Sequence, residues 1–184
     1  MDIADEDLMQ RVGAGDAEAC RVLVERHLGR VVAFAHRVLG NASEARDVAQ
    51  DVFARVWTSA ASWRPGSARF ATWLHRVALN LCLDRLARRR ETSLDDAPDP
   101  VDPGANPARL LEEGETTRIV GAAIAALPER QRVALALCHY QGLRNDQAAE
   151  IMDITVEALE SLLARARRTL RERLRAVAGE LLEA

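Results

Sequence analysis

The chain has 184 residues, of which 48% are hydrophobic and 29% charged, a balance that suits one compact domain or two small ones and excludes a fully disordered chain. Aromatic residues make up only 4%, and the abundance of Ala, Leu, Val, Arg and Glu favours helices over sheets. The net charge of −3 would by itself argue against a nucleic-acid-binding protein.

The sequence has no pattern for a membrane span or a disulfide-bonded secreted fold. No apolar run approaches the roughly 20 residues that a bilayer requires. The three cysteines, Cys20, Cys82 and Cys138, are odd in number and form no CxxC pair, so we interpret them as small apolar residues rather than as a disulfide, zinc or redox site. We expect a cytoplasmic protein that needs no cofactor and no metal and does not insert into membranes.

The distribution of charge is more informative than its sum. Residues 1–90 carry +3, residues 91–115 carry −7 and residues 116–184 carry +1, so a short acidic segment hides two basic flanks. Seven arginines lie from Arg64 to Arg90 and six from Ser161 to Arg175, a pattern typical of contacts with a polyanion. For either cluster alone, solvated helix ends are an equally good explanation.

The acidic segment predicts a linker. It holds four of the six prolines, and its Asp-Pro and Asn-Pro pairs cannot continue a helix. We therefore predict an all-α protein of two small helical domains, 1–91 and 115–184, joined by an acidic, Pro-rich, flexible linker over 92–114.

Four helices are predicted before the linker. The first covers Asp5–Val12, and the second is capped by Asp16 and ends at Gly40. Asn41 and Glu44 fit a capping box for the third. Its apolar stripe comprises Ala45, Val48, Ala49, Val52, Phe53, Val56 and Trp57. After a loop over 58–68, the fourth runs over about 69–90 and buries Phe70, Trp73, Leu74, Val77, Leu81 and Cys82. Both stripe tryptophans are thus assigned to the core.

The second domain contains a helix-turn-helix pattern. One helix ends or restarts at Pro128, and the next ends at Gly142. Spacing then favours two closely crossing helices: small Ala149, Asp153 at a left-handed turn, and Leu159 and Leu162 on the second helix, which Thr155 can cap. An ordinary helical hairpin is the alternative.

Three blocks in order resemble the extracytoplasmic-function (ECF) sigma factors of bacterial RNA polymerase. SEARDVAQDVFARVW at 43–57 and FATWLHRVALNLCLDRLARRR at 70–90 resemble the second conserved region, with its F-x-x-W-L and R-[IV]-A-x-N patterns. Residues 127–174, from LPERQR onward, resemble the fourth. The linker leaves no room for a third domain, which is typical of this smallest class of sigma factor.

The resemblance implies a role for each polar face. Asp47, Gln50, Asp51 and Arg55 would bind core polymerase, whose partner subunits would be β and β′. The −10 promoter element would be melted by Trp63, Arg64, Arg69, Arg76, Asn80 and Arg88. Trp63 could equally be a loop residue folded over the core. The −35 element would be read in the major groove by Thr155, Glu157, Ala158, Glu160, Ser161 and Arg165, with Arg167, Arg168 and Arg171 on phosphates.

The same resemblance implies a sigma factor that is monomeric when free, binds promoter DNA and is held inactive by an anti-sigma factor. The recognition helix departs from the family: many members have basic residues near the positions of Glu160 and Leu162, whereas this helix starts acidic, with Glu157 and Glu160. No catalytic constellation is evident, so we expect no enzyme activity. Two other functions remain open: a helix-turn-helix regulator that binds operators without polymerase, and a purely protein-binding helical module.

Overall fold

The computed structural model describes residues 3–64, 69–93 and 115–183, and within these ranges the chain is helical without a strand. This confirms the all-α prediction. Four helices precede residue 94: α1 (Asp5–Gly13), α2 (Ala17–Leu39), α3 (Ala42–Ser59) and α4 (Phe70–Ser93). Four follow residue 114: α5 (Glu115–Ala125), α6 (Glu129–Leu135), α7 (Asn145–Met152) and α8 (Val156–Glu183). A search of the described helices finds none that could span a membrane.

The helix ends in the first half follow local chemistry. The Asp16 carboxylate accepts hydrogen bonds from the backbone N–H groups of Glu18 and Ala19 at 3.0 and 3.1 Å, which confirms the predicted cap of α2. That helix ends at Gly40, which adopts the left-handed conformation with φ 71°. These two ends fix the length of α2, the central helix against which α1, α3 and α4 pack.

The apolar stripes of α3 and α4 form the centre of this half. Six of the seven predicted α3 residues are buried, from Ala45 to Val56. The exception is Trp57, which is 45% exposed, so its assignment to the core is wrong. Trp57 is the last residue of the stripe, two residues before the end of α3, and the core covers its side chain only in part there. Trp73 is half-buried, and Phe70, Leu74 and Cys82 are fully buried.

Three further expectations differ in detail. Asn41 accepts from the Glu44 N–H at 3.0 Å, but the Glu44 carboxylate turns to Arg89 at 2.7 Å instead of completing the capping box. The predicted loop is shortened, because α3 reaches Ser59 and a 3₁₀ turn follows at Ala60–Ser62. Thr92 and Ser93 extend α4, and the Thr92 hydroxyl donates to the Arg88 carbonyl. The rest of the predicted linker, 94–114, lies outside the described residues.

The second half contains the predicted helix-turn-helix, formed by α7 and α8. Asp153 lies at the turn in the left-handed region, with φ 52° and ψ 52°, and it is the one described non-glycine residue with positive φ. The Thr155 hydroxyl accepts from the Ala158 N–H at 3.2 Å and caps α8. Ala149 and Leu159 are buried, while Leu162 is half-buried and Leu163 is the better-covered leucine.

A five-residue π-helical segment, Ala136–Tyr140, follows α6 and carries the chain to Gln141. The Gln141 N–H donates to the Ala136 carbonyl at 3.0 Å, a bond five residues long instead of four. Gly142 then turns the chain with φ 65° towards α7.

The two halves pack together. α4 contacts α7, and α2 contacts α6 and the π-helical segment. Buried residues of both halves, among them Phe34, Leu74, Leu137 and Leu159, belong to one continuous hydrophobic cluster. The described parts of the chain therefore form a closed arrangement in which each half covers part of the other.

Candidate nucleic-acid interface

The polar face of α3 is exposed as the sequence predicts. Asp47, Gln50, Asp51 and Arg55 all point away from the core because their helix neighbours fill it. The structure adds Arg85 of α4, whose guanidinium lies 2.9 Å from Asp51 and 3.6 Å from Asp47. Arg85 thus fixes the two carboxylates side by side while both keep more than half of their side-chain surface exposed.

A polar pocket with aromatic walls opens where α3, the 3₁₀ turn and α4 meet. Trp63 and Trp73 are both half-buried there, and Trp73 contacts Phe70 with ring centroids 5.9 Å apart. The pocket is lined by Ser59, Ser62, Trp63, Arg64, Trp73, Arg76 and Glu150. Trp63 therefore combines the two alternatives left open by the sequence: it packs on the core and also presents a surface to the pocket.

Arginines and one amide continue from the pocket along α4. Asn80 and Arg88 are exposed on this helix, and Arg64 and Arg69 are exposed in the segment that precedes it. Arg76 is also on the surface, but its guanidinium donates to the Glu150 carbonyl at 2.8 Å and lies 3.2 Å from the Glu150 carboxylate. Arg76 is thus engaged by the other half of the molecule.

The outer face of α8 carries the remaining candidates. The first turns are acidic, with Glu157 and Glu160. All nine candidates are exposed: Thr155, Glu157, Ala158, Glu160, Ser161, Arg165, Arg167, Arg168 and Arg171. Asn145 of α7 donates to Glu160 at 3.3 Å and holds that carboxylate on the helix-turn-helix surface. A hydrogen bond from its own backbone N–H, and after it one from the Thr155 hydroxyl, lowers the pKa of the Glu157 carboxyl.

The sequence analysis missed a polar cluster between the two halves. Gln141, only 6% exposed, donates from its amide to the Arg30 carbonyl at 3.1 Å. In return the Arg30 guanidinium donates to the Gln141 backbone carbonyl at 2.6 Å and to its side-chain oxygen at 3.2 Å. His75, fully buried, brings Nε2 to 3.3 Å from the same oxygen. We call Arg30, His75 and Gln141 the Gln141 cluster.

Burial shifts the titration of two groups near this interface. Desolvation lowers the pKa of His75, against a raising contribution from the Ala71 carbonyl 2.7 Å from its Nδ1. Burial raises the pKa of the Cys82 thiol to about 12, which makes it an unreactive apolar residue as predicted. Cys20 and Cys138 are half-buried, and all three thiols are free.

Comparison with protein families gives two matches. The Sigma-70 region 2 model matches residues 23–92, and the Sigma-70 region 4 model matches residues 117–170. These ranges contain every candidate residue named above except Arg171, which directly follows the second range, and between them lie the acidic residues that the sequence analysis assigns to the linker.

Two curated relatives are similar over most of this chain. The ECF RNA polymerase sigma-E factor of Escherichia coli K12 is 32% identical over 179 residues, with 91% of this chain and 93% of the relative covered. The ECF RNA polymerase sigma factor SigE of Mycolicibacterium smegmatis is 31% identical over 154 residues, which cover 82% of this chain but only 59% of that longer relative.

Two solved structures share the fold, each with a TM-score of 0.73. One is CnrH in complex with the cytosolic domain of CnrY, 26% identical, covering 95% of this chain and 99% of that chain. The other is the sigma factor RpoE of Bartonella quintana in complex with the anti-sigma factor NepR, 24% identical, covering 84% and 96%.

Proposed function

This chain belongs to the ECF sigma factors of bacterial RNA polymerase, and from that membership we propose how its surfaces divide the work of promoter-specific initiation. Such a factor directs polymerase to promoters, and the polymerase carries out the chemistry. The observation that carries the assignment of surfaces is the pocket at α3 and α4, where two half-buried tryptophans adjoin a row of exposed arginines.

The pocket and the α4 row form the −10 surface in this proposal. Holding a base outside the stack costs a few kcal/mol. An aromatic wall such as Trp63 can stack on the base and return about 1–3 kcal/mol. Exposed Arg64, Arg69 and Arg88 would attract the phosphates of the displaced strand, and Asn80 would hydrogen-bond a base edge.

The outer face of α8 would enter the major groove of the −35 element. Arg167, Arg168 and Arg171 lie beyond the first turn, where they can contact phosphates. Glu157 and Glu160 at the start of the helix accept hydrogen bonds and repel phosphates, so they favour a base that presents an amino group, as cytosine does. We therefore propose a −35 preference that includes cytosine.

The exposed face of α3 would bind the polymerase core through β′, with Asp47 and Asp51 as its acidic centre. The boundaries 1–91, 92–114 and 115–184 serve as the working domain division. An anti-sigma factor is proposed as the controlling partner, in line with the partner named for the Bartonella structure. The free factor is proposed to be a cytoplasmic monomer.

In vitro transcription tests the function directly. Purified core polymerase, this protein and a library of upstream DNA from the source organism should give transcripts that depend on the protein, with aligned start sites that show both elements. If the protein gives no transcripts and forms no complex with core polymerase, the proposal is overturned and the operator-binding regulator is favoured. A complex without transcripts would favour the protein-binding module.

The −10 surface is tested by Asn80→Ala. We expect unchanged affinity for core polymerase, whereas the permanganate reactivity of −10 thymines should fall at least about fivefold, since one good base contact contributes about 1–3 kcal/mol. Thr92→Ala at the far end of the same helix is the matched control. Normal strand opening by Asn80→Ala would remove Asn80 from the proposed surface.

A further inference from the structure

The first helix, α1, lies outside the range matched by the Sigma-70 region 2 model, which begins at residue 23. It buries Leu8, Met9 and Val12, and it contacts α2, α3, the 3₁₀ turn and α4. The last two of these elements flank the segment that carries Trp63, Arg64 and Arg69 of the proposed −10 surface. This short helix is therefore placed to control how that segment is presented.

Both ends of α1 are fixed by polar contacts. At its start, Asp5 accepts a hydrogen bond from Arg26 at 2.8 Å, and its second carboxylate oxygen lies 2.7 Å from His27 Nε2. At its end, the Arg11 guanidinium donates to the Asp16 carboxylate at 2.7 and 2.9 Å. Because α1 is tied down at both ends, the side chains between them are held at defined positions.

Glu6 of α1 caps the start of α4. Phe70 is the first residue of α4, so its N–H has no partner within the helix. The Glu6 carboxylate accepts a hydrogen bond from this N–H at 3.0 Å, across 64 residues of sequence. Its negative charge is also favourable at the positive end of the helix dipole. The place where α4 begins, and with it the position of Arg69 directly before it, therefore depends on α1.

Gly13 of α1 packs against the 3₁₀ turn. A Cβ at Gly13 would lie 2.8 Å from the Ala60 carbonyl oxygen and 3.3 Å from the Ala61 Cα. Gly13 does not have a positive φ, so the close approach of the turn, and not the backbone conformation, requires a glycine there. The same Ala60 oxygen accepts a hydrogen bond from the Trp63 N–H at 3.2 Å. The contact with α1 therefore fixes the backbone from which Trp63 projects.

We propose that α1 is a positioning element of the −10 surface, with Glu6 and Gly13 as its two positioning residues. Glu6 holds α4 where Arg69 precedes it, and Gly13 holds the turn that leads to Trp63. Neither residue contacts DNA in this arrangement, and their effect on DNA rests on the proposed function. When one contact is lost, fewer molecules present the strand-binding groups together, and the apparent affinity falls with that fraction.

The Glu6 contact is tested with two variants. Glu6→Ala removes the acceptor, whereas Glu6→Gln keeps an oxygen that can accept from Phe70. Both remove a negative charge, which by itself would strengthen binding of anionic DNA. A positioning role predicts the opposite for Glu6→Ala and rescue in Glu6→Gln. Asp7 and Gln10 of the same helix are exposed, and Asp7→Ala is the matched control because it removes the same charge from the same turn.

The Gly13 contact is tested with Gly13→Ala. Alanine is favoured over glycine inside helices, so a loss of DNA binding in this variant reports the contact with the 3₁₀ turn. Gly29→Ala on α2 is the matched control, since a Cβ at Gly29 meets nothing within 4 Å.

Three measurements are made on each full-length variant. The complex with core polymerase is titrated with a fluorescein-labelled single-stranded DNA that carries the −10 sequence mapped from the start sites. Affinity for core polymerase is measured separately. Hydrogen exchange of the free chain, followed by mass spectrometry, reports the peptide that begins α4.

Glu6→Ala and Gly13→Ala should bind the DNA about threefold to tenfold more weakly, with unchanged affinity for core polymerase. The peptide that begins α4 should exchange at least about threefold faster in Glu6→Ala. Glu6→Gln, Asp7→Ala and Gly29→Ala should bind the DNA at least as tightly as the unaltered chain does.

DNA binding by Glu6→Ala as tight as that by Asp7→Ala would overturn the positioning role, and so would an equal loss of affinity for core polymerase. If the complex of the unaltered chain binds no DNA, the failure is that of the proposed function. Hydrogen exchange then still decides whether Glu6 holds the start of α4, and unchanged exchange in Glu6→Ala would overturn that contact.

Discussion

The buried side chain of His75 makes the stability of the fold depend on pH. Its ring is fully buried, with the Ala71 carbonyl, Gln141 and the Arg30 guanidinium as its polar neighbours, and His27 also acts on it electrostatically. Desolvation lowers its pKa in the folded state. Since the unfolded state then binds the proton more readily, stability is lost as pH falls through about 6.5, the ordinary value for histidine.

The free energy of unfolding should therefore drop between pH 7.5 and pH 5.5, and His75→Gln should make that drop smaller. Urea denaturation at the two pH values measures both, and His139→Gln, in which an exposed ring is replaced, is the control. Equal drops in the unaltered chain and in His75→Gln would contradict the role assigned to His75.

At the scale of single elements, variants of the Asp51–Arg85 ion pair can show whether the exposed face of α3 contacts polymerase directly. Asp51→Arg should weaken core binding at least tenfold, because it reverses a charge at the centre of the proposed acidic surface. It also places two arginines together, so the loss could come from the fold. Arg85→Ala removes the ion pair and leaves both carboxylates in place.

If the carboxylates contact polymerase, Arg85→Ala should bind core as well as the unaltered chain does, or better, because the acidic surface is no longer partly neutralised. Affinities are measured by fluorescence titration of labelled protein with core polymerase. Equal losses in the two variants would show that Asp51 acts through α4 and not on the partner.

The turn between α7 and α8 contains a backbone conformation that costs a non-glycine residue about 1–2 kcal/mol. Asp153 occupies it with φ 52°. Asp153→Gly should therefore raise the free energy of unfolding by up to about 1 kcal/mol. Asp153→Val should lower it by about 1–2 kcal/mol, because a β-branched residue tolerates positive φ least. Urea midpoints of the two variants should move in opposite directions, and a shift in the same direction would contradict the strained turn.

Elements were predicted well from the sequence because the signals are local. The Asp16 cap, the Gly40 end and the Asp153 turn each depend on residues within one or two turns. The Trp57 prediction failed because a stripe says which face is apolar, not where a neighbouring helix stops covering it. The Gln141 cluster could not be predicted, since Arg30 and Gln141 are 111 residues apart. Neither residue lies in a periodic sequence pattern from which its contact with the other could be inferred.

At the scale of the whole molecule, one continuous cluster of buried residues has a thermodynamic consequence. Two domains joined only by a linker melt separately, whereas domains that share a core unfold together. Differential scanning calorimetry of the free chain should show one cooperative transition. Gln141→Ala should split it or broaden it, while Gln10→Ala should not. Two well-separated transitions in the unaltered chain would contradict a shared core.

The π-helical segment before Gln141 carries one residue more per turn than an α-helix, and that surplus sets the direction in which Gln141 points. Each residue of an α-helix advances the chain by about 100° around the axis, so deleting a single residue there would restore regular winding and carry the glutamine away from Arg30 by roughly a quarter of a turn. Such a deletion would therefore remove the Gln141–Arg30 hydrogen bonds between the two halves while the hydrophobic stripes of every helix stay as they are. The orientation of one half of the molecule against the other thus depends on the length of a five-residue segment.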